Sequence, residues 1–426
     1  MKPKNRWMIL FVSFVANLVV GSAYAWGVLS LPLREMFGFT TAQTGLAFSF
    51  ALGLIPISMT ISGKLGAKIG VSRVILLGGL AAALSFILTS FVTANVFTLY
   101  LSYGVLGSIG IGFVYGTAVP NAVKWFPDKR GLAGGIIVGG FGGGAVLFAP
   151  IFNAAIYSIG ILNTFLYFGI AFGVVVTIAS FLIAAPPADY KPAGWSPPPT
   201  SAAVCTGGLT PSEMLKTGRF WLLFAIFTFC MVGGIMIIGQ AGNISAHRMG
   251  AGPTLTATAV LFLGLSNASG RVLWGAISDK IGRNTSLILM FIITAVSLLL
   301  LLATNQNTPF PLFVILIMGV GVCFGGFAGT FPAISADNFG TANMGANYGI
   351  LFFGFGISAF VGPPMAGLIF DTTASHNTAF IIAAILSAIA LLFTAFLISS
   401  MKKEKKRKED ELIKLAGVDN HAKQSV

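Results

Sequence analysis

One side chain charged at neutral pH stands inside a long apolar run of this 426-residue sequence, and it is Arg271. All twelve Asp and Glu residues, together with His247, His376 and His421, fall in segments read as loops or tails. No acid therefore shares the apolar stretch 254–277 with Arg271. An unpaired charge at membrane depth costs about 2.5–3.5 kcal/mol on insertion scales. A bound organic anion would supply the missing partner. The planar guanidinium fork matches a carboxylate and gives charge-assisted hydrogen bonds stronger than neutral ones. Asn267 lies one helical turn before Arg271 on the same face, so two polar groups point the same way, toward a wet cavity. A plainer reading stands beside this one. Arg271 is six residues from the end of its apolar run, about 9 Å along a helix, and a long cationic side chain can snorkel over such a distance.

Aromatic residues offer walls for a cavity. Tyr348, Phe352 and Phe355 recur at i, i+4 and i+7, and Phe324, Ala328 and Phe331 repeat the spacing. A stripe at that spacing is more often packing than a ligand box. Tyr24 and Tyr115 are better candidates, because a buried phenol seeks a hydrogen-bond partner. Other chemistry is missing from the sequence. Cys205, Cys230 and Cys323 have neither zinc-site nor disulfide-framework spacing. There is no nucleophile–base pair, metal cluster or phosphate loop, so neither an enzyme nor a cofactor is expected.

These residues need elements to hold them, and composition says which. Hydrophobic residues make up 56% of the chain and charged residues 9%, against roughly 25% charged in soluble domains. Ile75–Val92, Leu287–Ala303 and Ala379–Ile398 are apolar over lengths suited to crossing a bilayer as helices, and Met8–Val20 is the apolar start of another. The expectation is an all-α membrane protein with twelve transmembrane helices in two pseudo-symmetric six-helix bundles. Its parts are an N-tail over 1–6, a bundle over 7–184, a linker over 185–218, a second bundle over 219–400 and a basic tail over 401–426. The linker carries Pro-Pro, Pro-Pro-Pro and Gly-Gly, and Thr210 to Leu215 reads as a capped short helix. No cleavable signal peptide is apparent, because Met8–Val20 continues into a full span.

The net charge of +13 would suit nucleic acid, but the placement of the charges argues against it. With both ends on one side, that side carries all Lys and Arg except Arg34, Arg248 and Arg271. This is the bias of cytoplasmic loops, so both termini are expected in the cytoplasm. The partner implied is a lipid bilayer, as a monomer, in the plasma membrane (the inner membrane of a bacterium). The run from Lys402 to Lys408 reads as a topology anchor.

The two halves resemble each other. Gly135-Ile136-Ile137-Val138-Gly139-Gly140-Phe141-Gly142 matches Gly349-Ile350-Leu351-Phe352-Phe353-Gly354-Phe355-Gly356 at five of eight positions. Tyr115 precedes Pro120 by five residues, as Phe327 precedes Pro332. The segment Gly275 to Arg283 has a weaker partner in Gly63 to Gly70. Parallel repeats of this kind place a site at their interface. The mate of Arg271 is Met59, so the charge is one-sided.

At these residues the chain resembles the major facilitator superfamily. Gly275-x-x-x-Asp279-Lys280-x-Gly282-Arg283 is similar to that superfamily's loop motif, whose first-half copy here has Ala67 in place of the usual acid. Trp125-Phe126-Pro127-Asp128-Lys129-Arg130-Gly131-Leu132-Ala133 resembles the oxalate/formate antiporter family and, more loosely, the monocarboxylate transporters. Tyr24-Ala25-Trp26, Arg271, Phe331-Pro332 with Asp337, and Asn347-Tyr348-Gly349 fit the same resemblance. It implies a substrate site of Arg271, Asn267, Tyr24, Tyr115, Phe324, Tyr348, Phe352 and Phe355. It also implies gating roles for Asp279, Lys280, Gly282, Arg283, Asp128, Lys129 and Arg130. Oxalate exchangers of that family carry a second cation, a lysine, at the position of Phe355. With one positive group, a monocarboxylate such as lactate, pyruvate or formate is the expected substrate, with a proton as a candidate co-substrate. Oxalate exchanged for formate is the alternative. A membrane sensor without transport is the more distant one.

Overall fold

The computed structural model describes residues 5–187, 190–192, 194–195 and 208–424. Cys205 and the middle of the expected linker lie outside the described residues, as do residues 1–4 and the chain's last two residues. Among the described residues, twelve helices are long and apolar enough to cross a membrane. Spans 1–6 are Arg6–Phe37, Ala42–Ile69, Val71–Thr89, Val96–Trp125, Arg130–Ile159 and Ile161–Leu182. Spans 7–12 are Gly218–Gly239, Thr254–Ile281, Arg283–Ala303, Phe310–Phe339, Met344–Thr373 and Asn377–Lys403. Thr210 and Glu213 close a capping box on the short helix Pro211–Leu215 ahead of span 7, which fits the capped turn read from sequence.

The helices run past the apolar stretches that reveal them. Span 8 continues to Ile281, so Arg271 stands ten residues from its end rather than six, about 15 Å along the axis. Asp279 and Lys280, expected in a loop, sit on the last turn of this helix. Asp337 is likewise on the helix of span 10. The turn between spans 8 and 9 is Gly282 at φ 88°, and its counterpart between spans 2 and 3 is Gly70 at φ 90°. Backbone in that region favours glycine because it has no Cβ.

Exposed apolar side chains mark what surrounds the bundle. Leu77, Leu80, Leu84 and Leu88 form an outward stripe on span 3, and Ile292, Val296 and Leu299 do so on span 9. Surface of this extent is suited to lipid rather than water.

The halves meet where span 5 packs on span 8 and span 2 packs on span 11. A Cβ added to Gly345 would lie 2.8 Å from Gly63 Cα, and one on Gly349 would lie 2.7 Å from the Thr60 nitrogen. Only backbone-to-backbone approach allows such contact, as in small-residue membrane interfaces. Three spans lose regular helix at mid-depth near this seam. Span 1 tightens to a 3₁₀ turn over Gly21–Ala25, span 2 breaks at Leu54 ahead of Pro56, and span 11 breaks at Phe352. Irregular backbone at membrane depth is tolerated where it faces protein or a cavity.

Candidate functional site

Arg271 is 2% exposed, so it does not snorkel to an interface. Its Nη1 donates to the Val138 carbonyl of span 5 at 3.0 Å. Its Nε donates to Asn267 Oδ1 at 3.3 Å, the neighbour expected from helical spacing. The glycines of span 5 make room for the guanidinium: a Cβ on Gly142 would come within 2.5 Å of both Cζ and Nε. Among the described residues no carboxylate forms an ion pair with Arg271. A guanidinium has five N–H donors, so the group keeps donor capacity that the protein does not use. Its Cζ lies 6.0 Å from the centre of the Tyr24 ring.

Aromatic rings continue from Tyr24 across the seam. Phe141 of span 5 touches Tyr24 at 5.0 Å and Tyr115 at 5.2 Å between ring centres, both edge-on. Tyr115 lies 5.5 Å from Phe352, and Phe352 stacks on Phe355 at 4.8 Å. The hydroxyls of Tyr115 and Tyr348 meet at 3.4 Å, joining span 4 of one half to span 11 of the other. The structure thus brings Arg271, Asn267 and Tyr24 together at one end of a chain that continues through Tyr115, Tyr348, Phe352 and Phe355.

Phe324 is placed elsewhere. It packs over Gly234 of span 7, where an added Cβ would come 2.9 Å from its Cγ, and it makes no aromatic ring contact among the described residues. Its helical spacing is therefore a packing stripe, and Phe227 of span 7 takes the adjoining place, 5.8 Å from Phe352 and 4.3 Å from Phe331. Sequence reasoning missed Phe227, Val138 and Phe141. A signal for Phe141 existed, since the internal repeat makes it the mate of Phe355. None exists for Val138, because it acts through a backbone carbonyl.

On one side of Tyr24 a cavity of about 630 Å³ separates the halves, lined by Phe48, Ser49 and Leu52 from the first half and by Ile235, Ile238 and Pro363 from the second. The opposite, basic face, which carries Lys64, Lys129 and Arg283, is drawn together by ion pairs and glycine contacts. Asp279 accepts from the Gly131 and Leu132 N–H groups at 2.9 and 2.8 Å, capping the start of span 5. Arg283 pairs with Asp279 at 2.7 Å and with Asp337 at 3.0 Å, and Arg130 pairs with Asp337 at 2.7 Å. Arg6 pairs with Asp128 at 2.7 Å and lies over Phe126. Lys129 and Lys280, grouped with these by motif, are exposed and form no ion pair among the described residues. In the first-half counterpart of this latch Ala67 stands where the acid would, and four residues earlier Gly63 meets Gly345 backbone to backbone.

A family model described as Major Facilitator Superfamily matches residues 7–241 and 232–420. The chain is 31% identical over 365 residues to the uncharacterized MFS-type transporter YhjX of Escherichia coli (strain K12), covering 84% of this chain and 88% of that one. It is 29% identical over 405 residues to the oxalate:formate antiporter of Oxalobacter formigenes, covering 95% and 94% respectively. In fold it is similar to the crystal structure of the transporter FucP, with a TM-score of 0.69 at 16% identity, covering 91% of this chain and 98% of that one.

Proposed function

The chain belongs to the major facilitator superfamily, a multi-pass membrane transporter and not an enzyme, and we propose that its cargo is a small monocarboxylate held by Arg271. Lactate, pyruvate and formate are the substrates in view. The observation that carries this reading is a buried guanidinium on the seam between the halves, with no carboxylate partner among the described residues and with donors to spare. The cavity beside Tyr24 is the route by which an anion would approach Arg271, whose Cζ lies 6.0 Å from that ring. The anion's carboxylate neutralises the guanidinium in a low-dielectric site, where charge-assisted hydrogen bonds are strong.

The halves then exchange which face is open. In this reading residues 7–184 and 219–400 are the two rocking bodies, and 185–218 ties them together. The basic face is cytoplasmic by the bias of Lys and Arg, which places both termini inside and the chain in the plasma membrane or a bacterial inner membrane. An empty carrier must carry a bare cation through a dry site, which favours exchange over net flux. Asn267, and not an acid, is the side chain that Arg271 bonds. A cotransported proton would therefore ride on the substrate or on water.

Oxalate–formate exchange is a second reading, supported by the 29% identity to the Oxalobacter formigenes antiporter. Phe355 counts against it. Its ring is buried and stacked on Phe352 where that family's second cation would stand. Proteoliposome exchange tests the assignment. Arg271→Ala should abolish lactate, pyruvate and formate uptake, and Arg271→Lys should retain a small fraction because it keeps the charge and loses the fork. Full uptake by Arg271→Ala would sink the assignment.

A further inference from the structure

A second cavity, of about 270 Å³, lies between the halves on the basic-face side. Span 2 contributes Ser62, Gly63 and Lys64, span 4 contributes Gly116, Asn121 and Lys124, and span 11 contributes Gly345 and Ala346. Its position along the chain is telling. Gly116 follows Tyr115 directly, and Ala346 stands two residues before Tyr348. The cavity therefore begins next to the Tyr115–Tyr348 contact, and Lys124 lies nine residues further along span 4, about 13 Å toward the basic face. The Gly63–Gly345 junction forms part of its wall.

Its charge is one-sided. Lys64 and Lys124 both line it, and among the described residues no lining residue is acidic and neither lysine forms an ion pair. Lys64 is exposed and solvated, but Lys124 is only half-buried on a helix whose neighbours are buried. A partly desolvated cation without a counter-charge is costly, and two ammonium groups on one cavity repel. A carboxylate between them would relieve both terms. An ammonium is a compact charge with three rotatable donors, suited to an anion that arrives and leaves rather than one locked in a fork. Asn121 is held in place beside Lys124 by its Nδ2 bond to the Ala184 carbonyl at 3.1 Å.

We propose that Lys64 and Lys124 form a second anion site, which receives the carboxylate after Arg271 releases it past the tyrosine pair and loads it in the reverse direction. This rests on the assignment of Arg271 as the central site. It adds something that assignment does not contain, an affinity that differs between the two faces. Arg271 is common to both directions of transport, but the lysines are met from the basic face alone.

The test is lactate exchange in proteoliposomes of known orientation. In Lys64→Gln/Lys124→Gln the half-saturating lactate concentration on the basic face should rise about tenfold, as loss of hydrogen bonds to a charged group implies. The value on the other face should stay within about twofold of wild type, and Lys64→Arg/Lys124→Arg should restore the first. An equal change on both faces, or none on either, overturns the proposal. A binding measurement separates its fate from that of Arg271. With lysines ¹³C-methylated in an Arg271→Ala protein, lactate should shift the Lys124 resonance, and Lys64→Gln should weaken that response. No shift with lactate overturns the proposal, as does a shift with inorganic phosphate alone, which would mark a phosphate site. If Arg271→Ala still transports, the central assignment fails while the Lys124 resonance reports on the lysine site independently.

Discussion

Arg271 is where chemistry and burial conflict most sharply in this chain, and its surroundings show how the conflict is contained. A backbone carbonyl and an amide oxygen take two of its donors, enough to orient the group but not to neutralise it. On the proposed assignment, Phe355 sets what the site accepts. Its ring is 3% exposed, so a dianion would bring a second charge against an aromatic wall, where desolvation is unrepaid. Excess oxalate should therefore inhibit lactate exchange weakly in the wild type. Phe355→Lys should make oxalate a competitor at least tenfold stronger, as one added charge-assisted contact would allow. Strong oxalate inhibition of the wild type would favour the exchange of oxalate for formate instead. The charge inventory made Arg271 and Asn267 legible in the sequence. Val138 was not, because a carbonyl 133 residues away leaves no mark in residue type.

At the scale of elements, the two closures of the basic face differ in physics. Spans 5, 8 and 10 are held by ion pairs, while spans 2 and 11 are held by glycine contact. The ion pairs are partly exposed, with side chains 11–35% accessible, so each contributes little by itself. The two N–H bonds of Asp279 matter more, since they satisfy donors at a helix start that have no partner within the helix. Asp279→Asn should cost about 1.5 kcal/mol of stability, because the amide keeps only one acceptor oxygen and loses the charge, read as a lower unfolding midpoint in detergent. It should also raise labelling of a cysteine introduced at Ser62 from the basic face; unchanged labelling would mean that this latch does not govern closure. The loop motif was readable as a string, but its placement on the last turn of span 8 was not. Helices extend past the apolar run wherever polar residues can reach water, and hydropathy does not see that extension.

At the scale of the molecule, the cavity side and the basic face respond to different conditions. At the far end of the second half from the basic face, the His376 ring stacks on Phe370 at 4.5 Å, with His247 4.8 Å from the same ring. Arg248 stands nearby over Phe380, bonded to Thr304 and Asn377. Burial pushes the His376 imidazole down from 6.5 to about 4, and the His247 and Arg248 charges push the same way. The folded protein thus holds His376 neutral while an unfolded chain would protonate it below about 6.5. Between these values the unfolded state binds the extra proton, so stability falls as pH falls through the window. The unfolding midpoint should drop between about pH 6.5 and 4, and His376→Gln should flatten that drop. An equal slope in the variant would assign the effect to other groups.

The sequence by itself determined the spans, the side on which the basic residues lie, the internal repeat and the isolation of Arg271. Each of these follows from one rule, that apolar solvent excludes charge and unsatisfied backbone, and that rule acts on residue type and spacing alone. Tertiary structure decided which aromatic residues meet, that Phe324 turns to span 7, that Tyr115 and Tyr348 touch across 233 residues, and that one closure is built from ion pairs and the other from glycine contact. Those outcomes depend on which faces of two bundles come into register at close range. In a chain this rich in Phe and Gly, many stripes are chemically equivalent, and only packing distinguishes them.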